Sequence, residues 1–180
     1  MSLKHREKNL RHASAAAHFG HACALQQAGY FPEAVKSYRL GLSFQPDSPE
    51  VLSNLGCLLD DLGSRDEAES VHRKAVALAP NVAVMHNNLG LTLQSLGKTE
   101  DAEACFRKAI ELRADWTVAR LNLGRLLQMN ERHADSIEHY ERVLEIDPSN
   151  ARAKNNLGIA REHLGDLAGA TAAFQEAIAA

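Results

Sequence analysis

Four asparagines recur along the chain at a constant interval of 34 residues. Each precedes a Leu-Gly pair, and the four are Asn54, Asn88, Asn122 and Asn156. Asparagine is a mediocre helix former, so its return at the same point of four units needs a reason other than helix propensity. A side-chain amide donates through its nitrogen and accepts through its oxygen, which matches the donor and acceptor of one peptide unit. The spacing therefore indicates a row of groups that can hydrogen-bond to a polypeptide backbone.

Histidine and cysteine are the other residues with chemical potential, and their spacing argues against a reactive site. The chain has nine histidines and three cysteines, with no CxxC pair, no HExxH or GxSxG motif and no glycine-rich phosphate loop. Cys23 and Cys57 lie 34 residues apart and are expected to be small buried side chains on equivalent faces. A metal site would need more ligands at tetrahedral distances. We therefore predict no enzyme activity, no metal and no cofactor.

The 34-residue period also governs the elements that carry these side chains. One amphipathic stretch ends at Gly97, and a second begins near Thr99 with an acidic first turn. Ala102, Phe106 and Ala109 then lie on one face at helical spacing. Each unit is therefore predicted to form two helices, and a basic N-terminal extension, expected to be helical, precedes the first unit. The predicted bounds are 1–14 for the extension and 15–180 for the array, with units at 15–48, 49–82, 83–116, 117–150 and 151–180.

Composition sets the broad class of the protein. The 180 residues are 45% hydrophobic and only 5% aromatic, and abundant Ala and Leu favour closely packed helices, so we predict an all-α fold. The net charge of −3 disfavours nucleic acid as a partner, because such proteins normally carry a basic patch. No run of 18 apolar residues occurs, so we expect no membrane partner. The unpaired cysteine count is typical of reduced thiols and predicts a cytoplasmic location.

The unit resembles the tetratricopeptide repeat, a helix–turn–helix motif with Leu-Gly at positions 7 and 8, small residues at 20 and 27 and an aromatic near 24. Positions are counted from the first residue of each predicted unit. The matching residues are Leu55-Gly56, Leu89-Gly90, Leu123-Gly124 and Leu157-Gly158; Ala34, Ala68, Ala102, Ser136 and Ala170 at position 20; and Tyr38, His72, Phe106, Tyr140 and Phe174 at position 24. The resemblance implies a right-handed superhelical solenoid of five repeats. It also implies that small residues let paired helices approach and that the residue at position 24 fills the space between neighbouring units.

The resemblance further implies a concave groove, lined by the first helix of each repeat at positions 2, 5, 6, 9, 12 and 13. Helices about 10 Å apart match roughly three residues of extended chain. The implied function is a protein-interaction scaffold that holds an extended peptide or partner segment with weak sequence selectivity. The run of asparagines also resembles the superhelical repeat region of O-linked N-acetylglucosamine transferases. The predicted groove residues are Asn54, Asn87, Asn88, Asn122, Asn155, Asn156, Asp61, Arg125 and Arg152.

The charge of the predicted groove changes along the repeats. Glu50, Asp60 and Asp61 lie at positions 2, 12 and 13 of the second unit. Arg125 and Arg152 lie at positions 9 and 2 of the fourth and fifth units. A bound peptide would then be basic at one end and acidic at the other. The alternative is balanced, solvated surface charge.

Other interpretations stay open. The asparagines have a purely structural role if they hydrogen-bond only to an adjacent helix. The final stretch, LAGATAAFQEAIAA at 167–180, is nearly all apolar, and a self-assembling module or a homo-oligomer formed through this helix is one interpretation of it. The same feature is typical of a chain cut from a larger protein, such as the targeting region of a glycosyltransferase. The basic extension at 1–14 is interpreted as a solvated cap, with a polybasic partner site as the alternative.

Overall fold

The computed structural model describes residues 3–179, with side chains from residue 9 onward. Within that range ten α-helices follow one another and no strand occurs, which confirms the all-α prediction. Residues 1 and 2 of the predicted extension, and residue 180, lie outside the described residues. The helices are α1 (Leu3–Gln27), α2 (Phe31–Phe44), α3 (Pro49–Asp61), α4 (Arg65–Leu78), α5 (Ala83–Ser95), α6 (Thr99–Leu112), α7 (Thr117–Met129), α8 (His133–Ile146), α9 (Ala151–His163) and α10 (Leu167–Ile178).

Local sequence explains where several helices begin. Pro49 is the first residue of α3, where its missing N–H would have no helical acceptor in any case. The side chain of Asn150 accepts from the backbone N–H of Ala153 at 3.0 Å and so caps α9. The side chain of Asp166 accepts from the N–H of Gly169 at 2.9 Å and caps α10. These residues start the helices at the required points in the repeat.

The turn after each first helix uses one backbone position in the left-handed region. Gly29, Gly63, Gly97 and Gly165 have φ of 83°, 80°, 73° and 81° there. Glu131 stands at the equivalent position of the fourth unit, with φ of 60°. Residues with a β-carbon pay roughly 1–2 kcal/mol for this conformation, and glycine does not. The 34-residue spacing of these five positions therefore reflects one repeated turn, and Glu131 is its strained copy.

The described chain forms two compact units, each larger than one repeat. The first compact unit ends at Leu96 and the second compact unit starts at Gly97. In the first unit, α1 packs against α2 and α3 against α4, and α4 contacts α5. In the second unit, α7 packs against α8 and α9 against α10, and α8 contacts α9. The division falls inside the predicted third repeat, between its two helices. Among the described helices, we find none with the apolar length that crossing a bilayer requires.

The core of the first unit combines small and large side chains. Ala34 and Ala68, both at position 20, are fully buried, as is Ala22. The larger side chains of Tyr38 and Leu58 belong to the same cluster and are also buried. Alanine at position 20 leaves room for the two helices of a repeat to approach, as the resemblance implied.

The second compact unit uses the same repeat positions with different residues. Tyr140 and Val143 on α8 pack with Ala153 and Leu157 on α9. Ser136 replaces alanine at position 20 and is fully buried. Its hydroxyl donates to the carbonyl oxygen of His133 at 2.7 Å, so this buried polar group has a partner.

Glycine at position 8 lies under the ring at position 24 of its own repeat. A β-carbon added to Gly124 would stand 2.6 Å from Cε1 of Tyr140. One added to Gly158 would stand 2.6 Å from Cε1 of Phe174. The ring at position 24 thus packs on its own repeat, in addition to any contact it makes with a neighbouring unit. Glycine at position 8 lets the ring approach this closely in these repeats, whereas the first repeat combines Ala22 with Tyr38 at the same two positions.

Candidate functional site: a cavity repeated along the first helices

Three cavities lie at equivalent places along the first helices of the repeats. The Asn54 cavity, of about 310 Å³, is lined by residues that include Cys23, Gln26, Gln27 and Tyr38. The Asn88 cavity has a volume of about 230 Å³, and the Asn156 cavity one of about 820 Å³. Each is formed by positions 9, 12 and 13 of one repeat together with position 6 of the next. The asparagine at position 6 therefore lies at a cavity in all three cases.

In the Asn54 cavity, polar groups surround a buried tyrosine. The hydroxyl of Tyr38 donates to Oε1 of Gln26 at 3.0 Å and lies 3.3 Å from Sγ of Cys23. Burial raises the pKa of Tyr38 well above its usual value, the contact with Cys23 adds to the rise, and a hydrogen bond with Asn54 opposes it. The hydroxyl therefore stays protonated at neutral pH. Asn54 itself is exposed, so it serves both the tyrosine and the cavity.

In the Asn88 cavity, the asparagine joins two first helices. Nδ2 of Asn88 on α5 donates to Oγ of Ser53 on α3 at 3.0 Å. The same nitrogen lies 3.4 Å from Sγ of Cys57. Asn88 is half-buried, so these bonds form away from most of the solvent. The donor end of this amide thus has a structural role between successive repeats.

The Asn88 cavity also has an acidic corner. Thr92 donates its hydroxyl to Oδ2 of Asp60 at 2.5 Å, and Nε2 of His72 lies 3.7 Å from the same oxygen. Burial lowers the pKa of His72 to about 4, so the imidazole is neutral at physiological pH. Burial raises the pKa of Asp60, and its hydrogen bond from Thr92 opposes that rise. Burial, with the charges of Asp60 and Asp61, raises the pKa of the Cys57 thiol, so this cysteine is a poor nucleophile.

The Asn156 cavity repeats the tyrosine arrangement in the second unit. The Tyr140 hydroxyl donates to Oε1 of Gln128 at 2.6 Å, and Nε2 of Gln128 donates to the backbone oxygen of Asn156 at 2.8 Å. The rings of His133 and His163, which also line this cavity, stack on each other with centroids 4.1 Å apart. Burial raises the pKa of Tyr140, while a hydrogen bond with the Asn156 side chain opposes the rise.

A fourth cavity, of about 460 Å³, lies between α9 and α10. It brings together three residues of the predicted groove, Arg152, Asn155 and Asn156. Its apolar wall includes Phe174 and Ile178. Polar and cationic groups beside an apolar wall suit a peptide segment better than a single small ion.

Two predicted groove residues are buried. Asn87 is 4% exposed and Asn122 is 8% exposed. Neither lines one of the four cavities, so neither is among the side chains proposed to contact a peptide. Of the charged residues in the prediction, Asp61 and Arg125 are exposed and line the Asn88 and Asn156 cavities respectively.

A pair of polar residues twelve positions apart was missed by sequence reasoning. Position 12 on the first helix faces position 24 on the second in Gln26–Tyr38, Asp60–His72 and Gln128–Tyr140. The third and fifth repeats have Phe106 and Phe174 at position 24, and phenylalanine offers no hydrogen-bonding group. Position 12 is polar in all five repeats, so the available signal was the polar ring at position 24 in three of them. Across residues 3–179, no group of three or more His, Cys, Asp or Glu is arranged to hold a metal ion.

The paired helices and the recurrent cavities define an α-helical repeat protein. Three tetratricopeptide repeat family models match the sequence, over residues 50–79, 81–149 and 121–180. The chain is therefore built from tetratricopeptide repeats. The further resemblance to the repeat region of O-linked N-acetylglucosamine transferases stays a prediction.

Solved structures are similar over nearly the whole chain. The crystal structure of MamA protein is 25% identical, with a TM-score of 0.84, over 92% of this chain and 90% of that one. A second crystal structure of MamA is 27% identical, with a TM-score of 0.82, over 87% and 92% of the two chains. YrrB, described as a TPR protein with an unusual peptide-binding site, is 22% identical, with a TM-score of 0.77, over 97% and 89%. The likeness to YrrB concerns the fold alone. A search of curated proteins found no match.

Proposed function

We propose that this protein is a non-enzymatic interaction module that holds an extended peptide segment of a partner protein against the first helices of its repeats. The observation that supports this most is the recurrence of one cavity at positions 6, 9, 12 and 13, with an asparagine at each. Such a recurrence suits a ligand that is itself periodic, and an extended polypeptide is one. A small-molecule site would normally be a single pocket.

The asparagine at the Asn88 cavity combines a structural bond with a free acceptor. Its nitrogen donates to Ser53 and Cys57, and Oδ1 of Asn88 accepts no hydrogen bond within the described part of the chain. A peptide N–H is a suitable donor for that oxygen. In Asn88 the structural role therefore belongs to the amide nitrogen, and the proposed peptide-binding role belongs to the amide oxygen.

Backbone recognition at these cavities would give affinity with little dependence on sequence. Hydrogen bonds to the main chain are common to all peptides, whereas the side chains between them enter pockets of differing polarity. The Asn54 cavity is neutral, the Asn88 cavity contains two carboxylates, and the Asn156 cavity contains one cation, Arg125, and one carboxylate, Glu131. Side-chain preference would therefore differ from one cavity to the next. YrrB, which has the same fold, is described as having a peptide-binding site.

The test is selection of a random peptide library displayed on phage against the whole chain, followed by affinity measurement with the selected peptides. Asn54→Ala and Asn156→Ala should each weaken binding roughly two- to tenfold, the effect of one lost hydrogen bond. Asn81→Ala is the matched control, since Asn81 is exposed in the turn before α5 and lines none of the four cavities. Failure to enrich any peptide, or equal loss in the control, would contradict the proposal.

Self-association is a second candidate function, and exposed apolar side chains on α10 favour it. Ile178 is 88% exposed, and Leu167 on the same helix is also exposed. Such side chains gain by burial against another copy. Light scattering over a range of protein concentrations tests this, with Ile178→Ser and Leu167→Ser as variants. A constant monomer mass at high concentration in the parent chain would exclude it.

A further inference from the structure

We propose that the Asn88 cavity binds the cationic side chain, arginine or lysine, of the bound segment. This assignment rests on the proposed peptide-binding function and names the chemistry that one cavity selects. Two carboxylates, Asp60 and Asp61, line this cavity together with Asn88 and His72. Glutamine or methionine occupies the equivalent positions of the Asn54 and Asn156 cavities. The Asn156 cavity has one carboxylate, Glu131, together with the cation Arg125, so a net acidic lining belongs to the Asn88 cavity among the three.

The second observation is a group of buried polar atoms that lack partners. His72 is 1% exposed, and neither of its ring nitrogens makes a hydrogen bond. Oδ1 of Asp60 is also buried without a hydrogen-bond partner, while Oδ2 accepts from Thr92. Unpaired buried groups of this kind are costly, and a native structure usually has a reason to keep them. A ligand that brings several N–H donors would pair with the carboxylate oxygen and with a neutral imidazole nitrogen.

The charges around the Asn88 cavity support the binding of a cationic side chain. His72 is neutral at physiological pH because burial lowers its pKa to about 4, so it adds no positive charge beside the carboxylates. Arg65, at the start of α4, is the nearby cation whose field lowers the pKa of Asp60, and Asp61 raises it. Burial raises the pKa of the Cys57 thiol, and the charges of Asp60 and Asp61 add to that rise, as expected beside two carboxylates. A metal ion is a poor candidate, since the described residues include no suitable cluster of three or more ligands.

The size and accessibility of the cavity suit one side chain. Its volume of about 230 Å³ lies below the roughly 300–1,000 Å³ of pockets for whole small molecules. The Asp60 side chain is 24% exposed, and the torsion that turns a carboxylate is broad, so Oδ1 can turn toward the cavity. Arginine presents five donors in a planar fork and lysine three donors on one nitrogen, so arginine is the better match to an acid–imidazole pair.

A small probe tests the cavity directly. Nα-acetyl-arginine amide is titrated into the whole chain, with the isosteric neutral Nα-acetyl-citrulline amide as control, and backbone amide shifts are followed by NMR. We expect saturable shifts at Gly56, Asp60 and Asp61 with the arginine compound, which weaken as salt is added. Equal shifts with citrulline, or arginine shifts that persist in Asp60→Asn, would overturn the assignment. Asp66→Asn is the control variant, because Asp66 is exposed on α4 and lines none of the described cavities.

The selected library peptides provide the second measurement. We expect enrichment of arginine or lysine at one position, and replacement of that residue by glutamine should weaken binding about tenfold or more. Asp60→Asn should weaken the basic peptide and leave its glutamine analogue unchanged. Peptides that bind with no basic requirement would overturn this assignment and leave the proposed function standing. A library that yields no binder would overturn the proposed function, while the arginine probe still decides the chemistry of the cavity.

Discussion

The imidazole of His72 lies over Gly56, so close that a β-carbon on this glycine would stand 2.5 Å from Nε2. The other repeats have tyrosine or phenylalanine at the position of His72. The second repeat therefore contains a titratable base where its neighbours have a ring that stays neutral at physiological pH. Because that base is fully buried and lacks a hydrogen-bond partner, its protonation and the folding of the repeat are coupled.

His72 should make the free energy of unfolding fall as the pH drops below about 6.5. Burial lowers the pKa of His72 to about 4 in the folded chain, whereas an unfolded histidine titrates near 6.5. Between these values the unfolded state binds a proton that the folded state does not, so stability rises with pH across the window and is constant above it. The loss on acidification to about pH 4 should reach about 2–3 kcal/mol.

The measurement is urea unfolding at several pH values, for the parent chain and for His72→Phe. Phenylalanine occupies the equivalent position in Phe174, so the variant keeps a ring over Gly56 and removes only the titration. Burial also lowers the pKa of His139, but this residue is present in both proteins. The pH dependence should be shallower in the variant, and parallel curves for the two proteins would contradict the prediction.

Gly124→Ala should lower the free energy of unfolding of the second compact unit, which starts at Gly97. The new β-carbon would stand 2.6 Å from the Tyr140 ring, which is fully buried, so the ring or its helix would have to shift. Overpacking of this kind costs about 1–3 kcal/mol. Gly20→Ala is the control, since it lies within α1 with nothing within 4 Å of the new atom, and alanine there should be neutral or stabilising by up to about 1 kcal/mol. Equal chemical-denaturation midpoints for the two variants would refute this packing account.

Glu131→Gly should stabilise the turn between α7 and α8. Glu131 has a φ of 60°, and glycine occupies the equivalent turn position in the other four repeats. Glycine relieves the backbone strain, but it also raises the conformational entropy of the unfolded chain. The free energy of unfolding should therefore rise by a net amount of about 0.5–1 kcal/mol. The reciprocal variant, Gly165→Glu, should lose a similar amount. Thermal unfolding measures both, and a loss of stability in Glu131→Gly would show that the side chain has a compensating role.

Asn88→Ala should modestly lower the free energy of unfolding of the first compact unit, which ends at Leu96. Its nitrogen donates to Ser53 at 3.0 Å across two helices, and one such bond contributes about 0.5–1.5 kcal/mol. A double-mutant cycle with Ser53→Ala isolates the pairwise energy. Asn54→Ala is the comparison, since this asparagine is exposed and its loss should cost less. A coupling energy near zero between Asn88 and Ser53 would mean that the bond does not stabilise the fold.

Most of the architecture followed from spacing. The period of 34 residues, the Leu-Gly pairs and the turn glycines predicted two helices per unit, and α3 and α5 end two residues before Gly63 and Gly97. Helix geometry depends mainly on neighbours within one or two turns, so local sequence is sufficient for this level. The candidate site was only partly predictable. Asn54 and Asn88 lie at cavities, but the contact of Asn88 with Ser53 joins residues 35 apart on different helices.

The sequence by itself determined the repeat, its period and the face of each first helix on which the asparagines lie. Only the tertiary structure decided which of them are accessible: Asn54 is exposed, whereas Asn87 and Asn122 are buried. Periodicity places a side chain on a face of its own helix, but burial depends on how closely another helix approaches that face. For the same reason the pairing of Asp60 with His72 became visible only when two helices were packed together.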